Sequence, residues 1–151
     1  MTTRHEVAVA AVSARYITRG YSWVRDKKPS SLLEHQADGV ATRDEIQELI
    51  EVELTAKSIT RYRQIFDSHT MRLTRHGIAR VAYFCTPDVA RIVEREADRF
   101  VFRTDRARIT VHPVFDRHGR WLAIDDTAAD AIPPASVPMQ LTGFGDDRDT
   151  P

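Results

Sequence analysis

Apolar and polar positions recur with two different periods along the chain, and the switches between them mark out its elements. Residues 5–19 place Val7, Ala8, Ala11, Val12 and Ala14 in a helix-forming context that Gly20 stops. Tyr21-Ser22-Trp23-Val24-Arg25 is rich in aromatic and β-branched side chains and reads as a short strand. After a loop at Lys27-Lys28-Pro29-Ser30-Ser31, a second strand is expected over 38–42, and Thr42-Arg43-Asp44-Glu45 turns into a third over about 46–55. In that third strand Ile50, Val52 and Leu54 alternate with Glu51, Glu53 and Thr55, the period of two expected when one face is buried. Ser58 suits the N-cap of a helix over 59–75, with an apolar stripe of Ile59, Tyr62, Ile65, Phe66 and Leu73 and a stop at Gly77. Residues 78–85 form a near-continuous apolar strand of the kind covered on both faces. Thr86-Pro87-Asp88 opens another helix, with Val89, Ile92, Val93 and Ala97 on its inner side. A strand follows at 107–115, then the turn Asp116-Arg117-His118-Gly119 and the run Trp121-Leu122-Ala123-Ile124.

The order α-β-β-β-α-β-α-β predicts one α/β (α+β) domain over residues 1–125, a mixed central sheet flanked by helices. From residue 126 the pattern stops. Residues 126–151, rich in Pro, Ala and Asp, are expected to form a flexible tail. Composition agrees with a globular domain: 42% of the 151 residues are hydrophobic and 29% charged. No apolar run approaches the ~20 residues of a membrane-spanning helix, and the start has no signal-peptide pattern, so a cytoplasmic protein without a membrane partner is expected. Cys85 is the single cysteine and lies in an apolar run, which predicts a buried, unreactive thiol. The net charge of zero hides an asymmetry. Asp126, Asp130, Asp146, Asp147 and Asp149 against Arg148 leave −4 in the tail and +4 over residues 1–125. A mildly basic body permits a nucleic-acid partner without demanding one.

Asp38, Glu51 and Glu53 carry the candidate chemistry. The return of the third strand past the second brings Asp38 beside Glu51 and places Glu51 and Glu53 on a common face. Carboxylates gathered in this way resist ionising together unless a cation neutralises them. A hard divalent ion such as Mg²⁺ does so through oxygen ligands, and it activates water and stabilises charge on an attacked phosphate. Lys57, just beyond the strand, is placed to orient the nucleophile or contact phosphate. The spacing alone favours a solvated strand face, because two acids two residues apart mark many wet faces.

A resemblance favours the chemical reading. Asp38-Gly39-Val40, Glu51-Val52-Glu53-Leu54-Thr55-Ala56-Lys57-Ser58 and Arg61-Tyr62 resemble the nuclease-like part of replication-relaxation proteins, which occur on plasmids and other mobile elements. More distantly the chain is similar to the PD-(D/E)xK superfamily. The likeness spans residues 5–100, taking in His5, Trp23-Val24-Arg25 and the strand and helix at 78–99. It implies a restriction-endonuclease-like fold and a metal-dependent DNA endonuclease or nickase. Asp38 would be the first ligand of Mg²⁺ or Mn²⁺, Glu51 the second, Glu53 a further ligand or base, and Lys57 the contact to phosphate. Arg61, on the helix after the acidic strand, is placed to hold DNA phosphate, and equally to be solvated or paired with Glu53. The chain departs from the superfamily at two places: Glu53 stands where its lysine falls, and Ala37 where its proline precedes the aspartate. Family members usually carry a helical DNA-binding domain before this region, which is expected to be missing here and supplied by a protein partner. The alternative expectation is a catalytically inactive module of the same fold that binds DNA or a protein partner.

The histidines His5, His35, His69, His76, His112 and His118 show no HExxH or Cys/His spacing, which argues against a zinc site. His35 is close enough to Asp38 in sequence to reach the same pocket or to serve as a hydrogen-bonded structural residue. Trp23 reads as core or rim. No glycine-rich phosphate loop or nucleophile elbow is present in the sequence.

Overall fold

Thr3 and Glu6 open the first helix as a reciprocal capping box. The Glu6 amide donates to Thr3 Oγ1 at 3.1 Å and the Thr3 amide to Glu6 Oε2 at 2.7 Å. The computed structural model describes residues 3–115, 118 and 120. In it α1 spans Arg4–Thr18 and buries Ala8, Val12 and Tyr16, a stripe at helical spacing. Gly20, at φ +84°, lets the chain reverse into β1 (Ser22–Val24). The chain continues through β2 (Gly39–Arg43), β3 (Ile46–Glu53), α2 (Ile59–Arg75), β4 (Ile78–Cys85), α3 (Pro87–Phe100), the short α4 (Arg103–Arg106) and β5 (Ile109–Pro113). The turn expected at 116–119 lies outside the described residues except for His118, and the run 121–124 and the tail 126–151 lie wholly outside them.

These strands form one mixed sheet in the order β1-β2-β3-β4-β5. The first three are antiparallel, because Asp44 and Glu45 close β2 onto β3 with φ of 51° and 64°, as a two-residue primed hairpin turn requires. The last three are parallel, and each parallel step needs a crossover, supplied by α2 and then by α3 with α4. The protein is thus a mixed α+β domain, a five-stranded sheet flanked by helices.

Helices cover both faces of the sheet, and this corrects the expectation of one buried face on β3. Residues 48–53 are all buried. Ile50 and Val52 pack with Ala8, Val12 and Tyr16 of α1, while Leu49 packs with Tyr62, Phe66, Tyr83 and Val93 on the α2 and α3 side. The acids that would have marked a wet face therefore lie inside. Ile59, expected in the stripe of α2, is 51% exposed, and Ser68 and His69 are buried in that helix instead. Tyr62, Phe66 and Tyr83 have no exposed surface, and burying each contributes about 1.5–3 kcal/mol. Cys85 is buried as well, and that burial pushes its thiol up to about 12, so it stays protonated. Trp23 is half-buried and lies so close over Gly39 that a Cβ there would sit 2.0 Å from its ring. Only glycine lets β2 pass beneath the indole, immediately after Asp38.

Candidate metal centre

The β2–β3 pairing delivers the first acid. Gly39 is paired with Ile50, so Asp38, one step before the strand, stands next to Glu51. Its amide donates to Ile50 O at 3.0 Å, and its Oδ2 accepts from the Val52 amide at 2.7 Å. From α1, His5 Nε2 lies 3.3 Å from Asp38 Oδ1 and 3.1 Å from Val52 O. Burial, and then the charge of Glu51, hold the Asp38 carboxyl above its usual range, against the opposing pull of the Val52 amide and His5. A carboxyl held up by a neighbouring carboxylate is one that a cation would relieve.

The helix following β3 runs back along the sheet, so early α2 residues meet the end of the strand and later ones its middle. Tyr62 donates its hydroxyl to Glu53 Oε2 at 2.7 Å, and Lys57 pairs with Glu53 Oε1. Burial raises the Tyr62 phenol further above its ordinary value, so it remains a donor. Both oxygens of Glu53 are thereby engaged. Two residues back along β3, Glu51 Oε1 lies 2.6 Å from His35 Nε2 and 3.3 Å from His69 Nε2. Burial alone would raise the Glu51 carboxyl, but hydrogen bonds from His35 and His69, with their charges, hold it at about 2. Burial keeps His69 below the ordinary histidine value. Its Nε2 also lies 2.9 Å from the Tyr83 hydroxyl, while its Nδ1 is buried without a hydrogen-bond partner.

His35 sits in the connection between β1 and β2, which has no regular structure but is fastened at several points. The His35 amide donates to Ser68 Oγ at 3.1 Å, the Ala37 amide to Asp26 Oδ2 at 2.8 Å, and Gln36 Nε2 to Asp26 O at 2.7 Å. Asp26, 5% exposed, is held in turn by a two-pronged contact from Arg72 at 2.6 and 3.0 Å. Ser68, His69 and Arg72 fall on one side of α2, so a single helix carries one histidine and anchors the loop that carries the other.

The structure sets Asp38 opposite Glu51 and carries Glu51 and Glu53 two residues apart on β3, and it joins Lys57 to Glu53. Arg61 is exposed at the rim, with Nη1 3.4 Å from Gln64 Oε1 and Nη2 3.5 Å from His35 Nδ1. Asp38 also borders an open cleft of about 400 Å³ lined by His5, Trp23, Arg25 and Gln36. No protein-family model and no curated protein matches the chain.

Sequence spacing missed the convergence of His35 and His69. A loop residue carries no periodic signal, and His69 reads as one more position on an amphipathic helix. No described helix is long and apolar enough to cross a membrane.

Proposed function

We propose that this domain is a metal-dependent phosphodiester hydrolase acting on DNA, an endonuclease or nickase of replication-relaxation type with a restriction-endonuclease-like fold, working in the cytoplasm for a plasmid or other mobile element. The observation that carries the reading is the pairing of Asp38, which borders an open cleft just before β2, with Glu51 on β3, the Asp38 carboxyl being raised by burial and then by that neighbour. Asp38 and Glu51 fit as ligands of Mg²⁺ or Mn²⁺, since both offer hard carboxylate oxygen. The bound ion would lower the pKa of water and stabilise charge on the attacked phosphate. Glu53 fits less well as a direct ligand, because Lys57 and Tyr62 occupy its oxygens. It serves better to hold the Lys57 ammonium at the end of the strand, where phosphate would meet it. Exposed Arg61 and Arg25 supply further positive charge at the rim for DNA phosphate.

A second reading has its own support. Every acid of the cluster already has a protein partner: His5 and the Val52 amide for Asp38, His35 and His69 for Glu51, Lys57 and Tyr62 for Glu53. A catalytically inactive domain that binds DNA, or a protein carrying a DNA-binding domain, would keep such an arrangement for stability. Incubation with supercoiled plasmid in EDTA, Mg²⁺ or Mn²⁺ separates the two. Nicking that requires metal and disappears in Asp38→Ala and Glu51→Ala is the expected outcome. Intact plasmid in every lane, with salt-sensitive DNA binding retained, would favour the inactive module.

A further inference from the structure

We infer that His35, Glu51 and His69 form a second metal site, one for a divalent transition ion such as Zn²⁺ or Co²⁺ rather than for Mg²⁺. It shares Glu51 with the proposed nuclease centre but does not depend on DNA cleavage. The three residues come from a loop, a strand and a helix, and one ligand atom of each lies within 4.8 Å of the others. Two imidazoles and one carboxylate are the donor set that borderline ions prefer over the all-oxygen set of Mg²⁺.

The distances suit insertion of an ion. Two ligand atoms each about 2.1 Å from a tetrahedral Zn²⁺ stand roughly 3.4 Å apart. His69 Nε2 and Glu51 Oε1 are already at 3.3 Å. His35 Nε2, at 2.6 Å, must withdraw by less than an ångström, and it is the member carried on a loop. Each imidazole coordinates through Nε2 as the neutral Nδ1–H tautomer. When both start neutral, binding moves their Nε2 protons to Nδ1 and releases none. The long contact from exposed Arg61 to His35 Nδ1 is given up in the process.

Two further observations set this cluster apart from an ordinary buried hydrogen-bond network. His69 is 1% exposed and turns its Nε2, not its Nδ1, toward Glu51, so both imidazoles present the same nitrogen to one carboxylate oxygen. The loop bearing His35 is braced through Ser68, Asp26 and Arg72 to the same helix that bears His69. Outer contacts that fix the orientation of first ligands are what a metal site needs for affinity. Tyr83 Oη lies 2.9 Å from His69 Nε2, a contact that an ion on Nε2 would replace, leaving the hydroxyl free to hydrogen-bond a water.

The test is titration of the purified full chain, stripped with chelator, with Co²⁺ alone and then Zn²⁺. Visible ligand-field bands that saturate near one equivalent, vanish on adding Zn²⁺ and accompany a rise in melting temperature are expected. His35→Gln, on the loop, should weaken Co²⁺ binding at least ~10-fold while far-ultraviolet circular dichroism stays native. His69→Gln should do the same if it folds; His35→Gln decides the matter if it does not. Asp38→Asn should abolish plasmid nicking yet keep the cobalt bands, which separates this site from the nuclease reading. Absence of bands and of stabilisation in the wild type overturns the inference. So do bands that survive in His35→Gln, or that are lost in Asp38→Asn.

Discussion

Glu48 and Glu51 share strand β3, are 2% and 3% exposed, and point to opposite faces of the sheet. On the α1 face, Glu48 Oε1 accepts from Arg80 Nη2 at 2.8 Å, and its Oε2 lies 3.4 Å from the Tyr16 hydroxyl. On the α2 face, Glu51 meets two imidazoles. The partners decide what each carboxylate can do. An arginine keeps its charge at any working pH and coordinates no metal, so Glu48 belongs to a fixed ion pair. An imidazole can change its protonation or serve as a metal ligand, so on the proposed reading the partners of Glu51 are the exchangeable ones. Asp26 with Arg72 repeats the fixed arrangement on the α2 side, where it holds the loop rather than the chemistry. Burial alone does not distinguish a structural acid from a functional one.

The largest effect expected from breaking this contrast is at Glu48. Glu48→Ala leaves Arg80, whose side chain is only 19% exposed, without its counter-charge, and should destabilise the fold by about 3–5 kcal/mol. Urea unfolding monitored by tryptophan fluorescence measures it. Protein that remains folded should still give the cobalt bands of the wild type. A loss below about 1 kcal/mol would remove Glu48 from the structural class, since breaking a buried pair costs several times that.

Glu51→Gln should show the reverse balance. The amide oxygen can still accept from one histidine, so a loss of about 1.5–3 kcal/mol is expected, the range for a hydrogen bond to a charged group. Cobalt binding and plasmid nicking, in contrast, should both disappear. If the variant unfolds as readily as Glu48→Ala while retaining cobalt, the two glutamates are of one kind and the contrast fails.

Sequence reasoning reached the elements more fully than the contrast between them. The helix over 59–75 and the strand over 78–85 coincide with Ile59–Arg75 and Ile78–Cys85 because a serine cap, a glycine stop and a continuous apolar run are local signals. Asp38, Glu51 and Glu53 were legible as a group because strand spacing and a hairpin fix their relation. Their burial was not legible. An acid at every second position looks the same whether water or a helix covers that face, and the residues that cover Glu51 come from a loop and from the middle of α2. Glu48 gave no sign of its partner either, since Arg80 is 32 residues away and on another strand.

A smaller effect of opposite sign is expected at Asp38. Its folded carboxyl lies above the unfolded value of 3.8, so ionisation as pH rises through and beyond that value favours the unfolded chain. At neutral pH Asp38 therefore lowers stability in the metal-free protein. Asp38→Asn should raise the melting temperature at pH 7 in EDTA, with the gain vanishing near pH 3, and should remove Mg²⁺-dependent nicking. A lower melting temperature at pH 7 would mean that the Val52 amide and His5 stabilise the carboxylate more than Glu51 opposes it.

The smallest effect tests how much of the protein's proton sensitivity lies on the α1 face, away from the histidines around Glu51. His112 of β5 stacks on Phe84 with centroids 5.2 Å apart, and its Nε2 lies 2.9 Å from Thr110 Oγ1. Burial, followed by the charges of Arg80 and Arg19, holds its pKa below the ordinary value of 6.5. The unfolded chain then takes up a proton near pH 6.5 that the folded protein resists, so stability is full above that pH and declines as pH falls through it. His69 contributes in the same direction from the other face. His112→Gln should thus flatten the stability profile between about pH 7 and 5 only in part, the remainder belonging to the α2 side. Urea midpoints of wild type and variant at a series of pH values in EDTA measure the division. A profile unchanged by the substitution would assign the whole dependence to the histidine cluster around Glu51 and sharpen the separation of the two faces. A profile made fully flat would place it on the α1 face, and the division between fixed and exchangeable partners would then not follow the sheet.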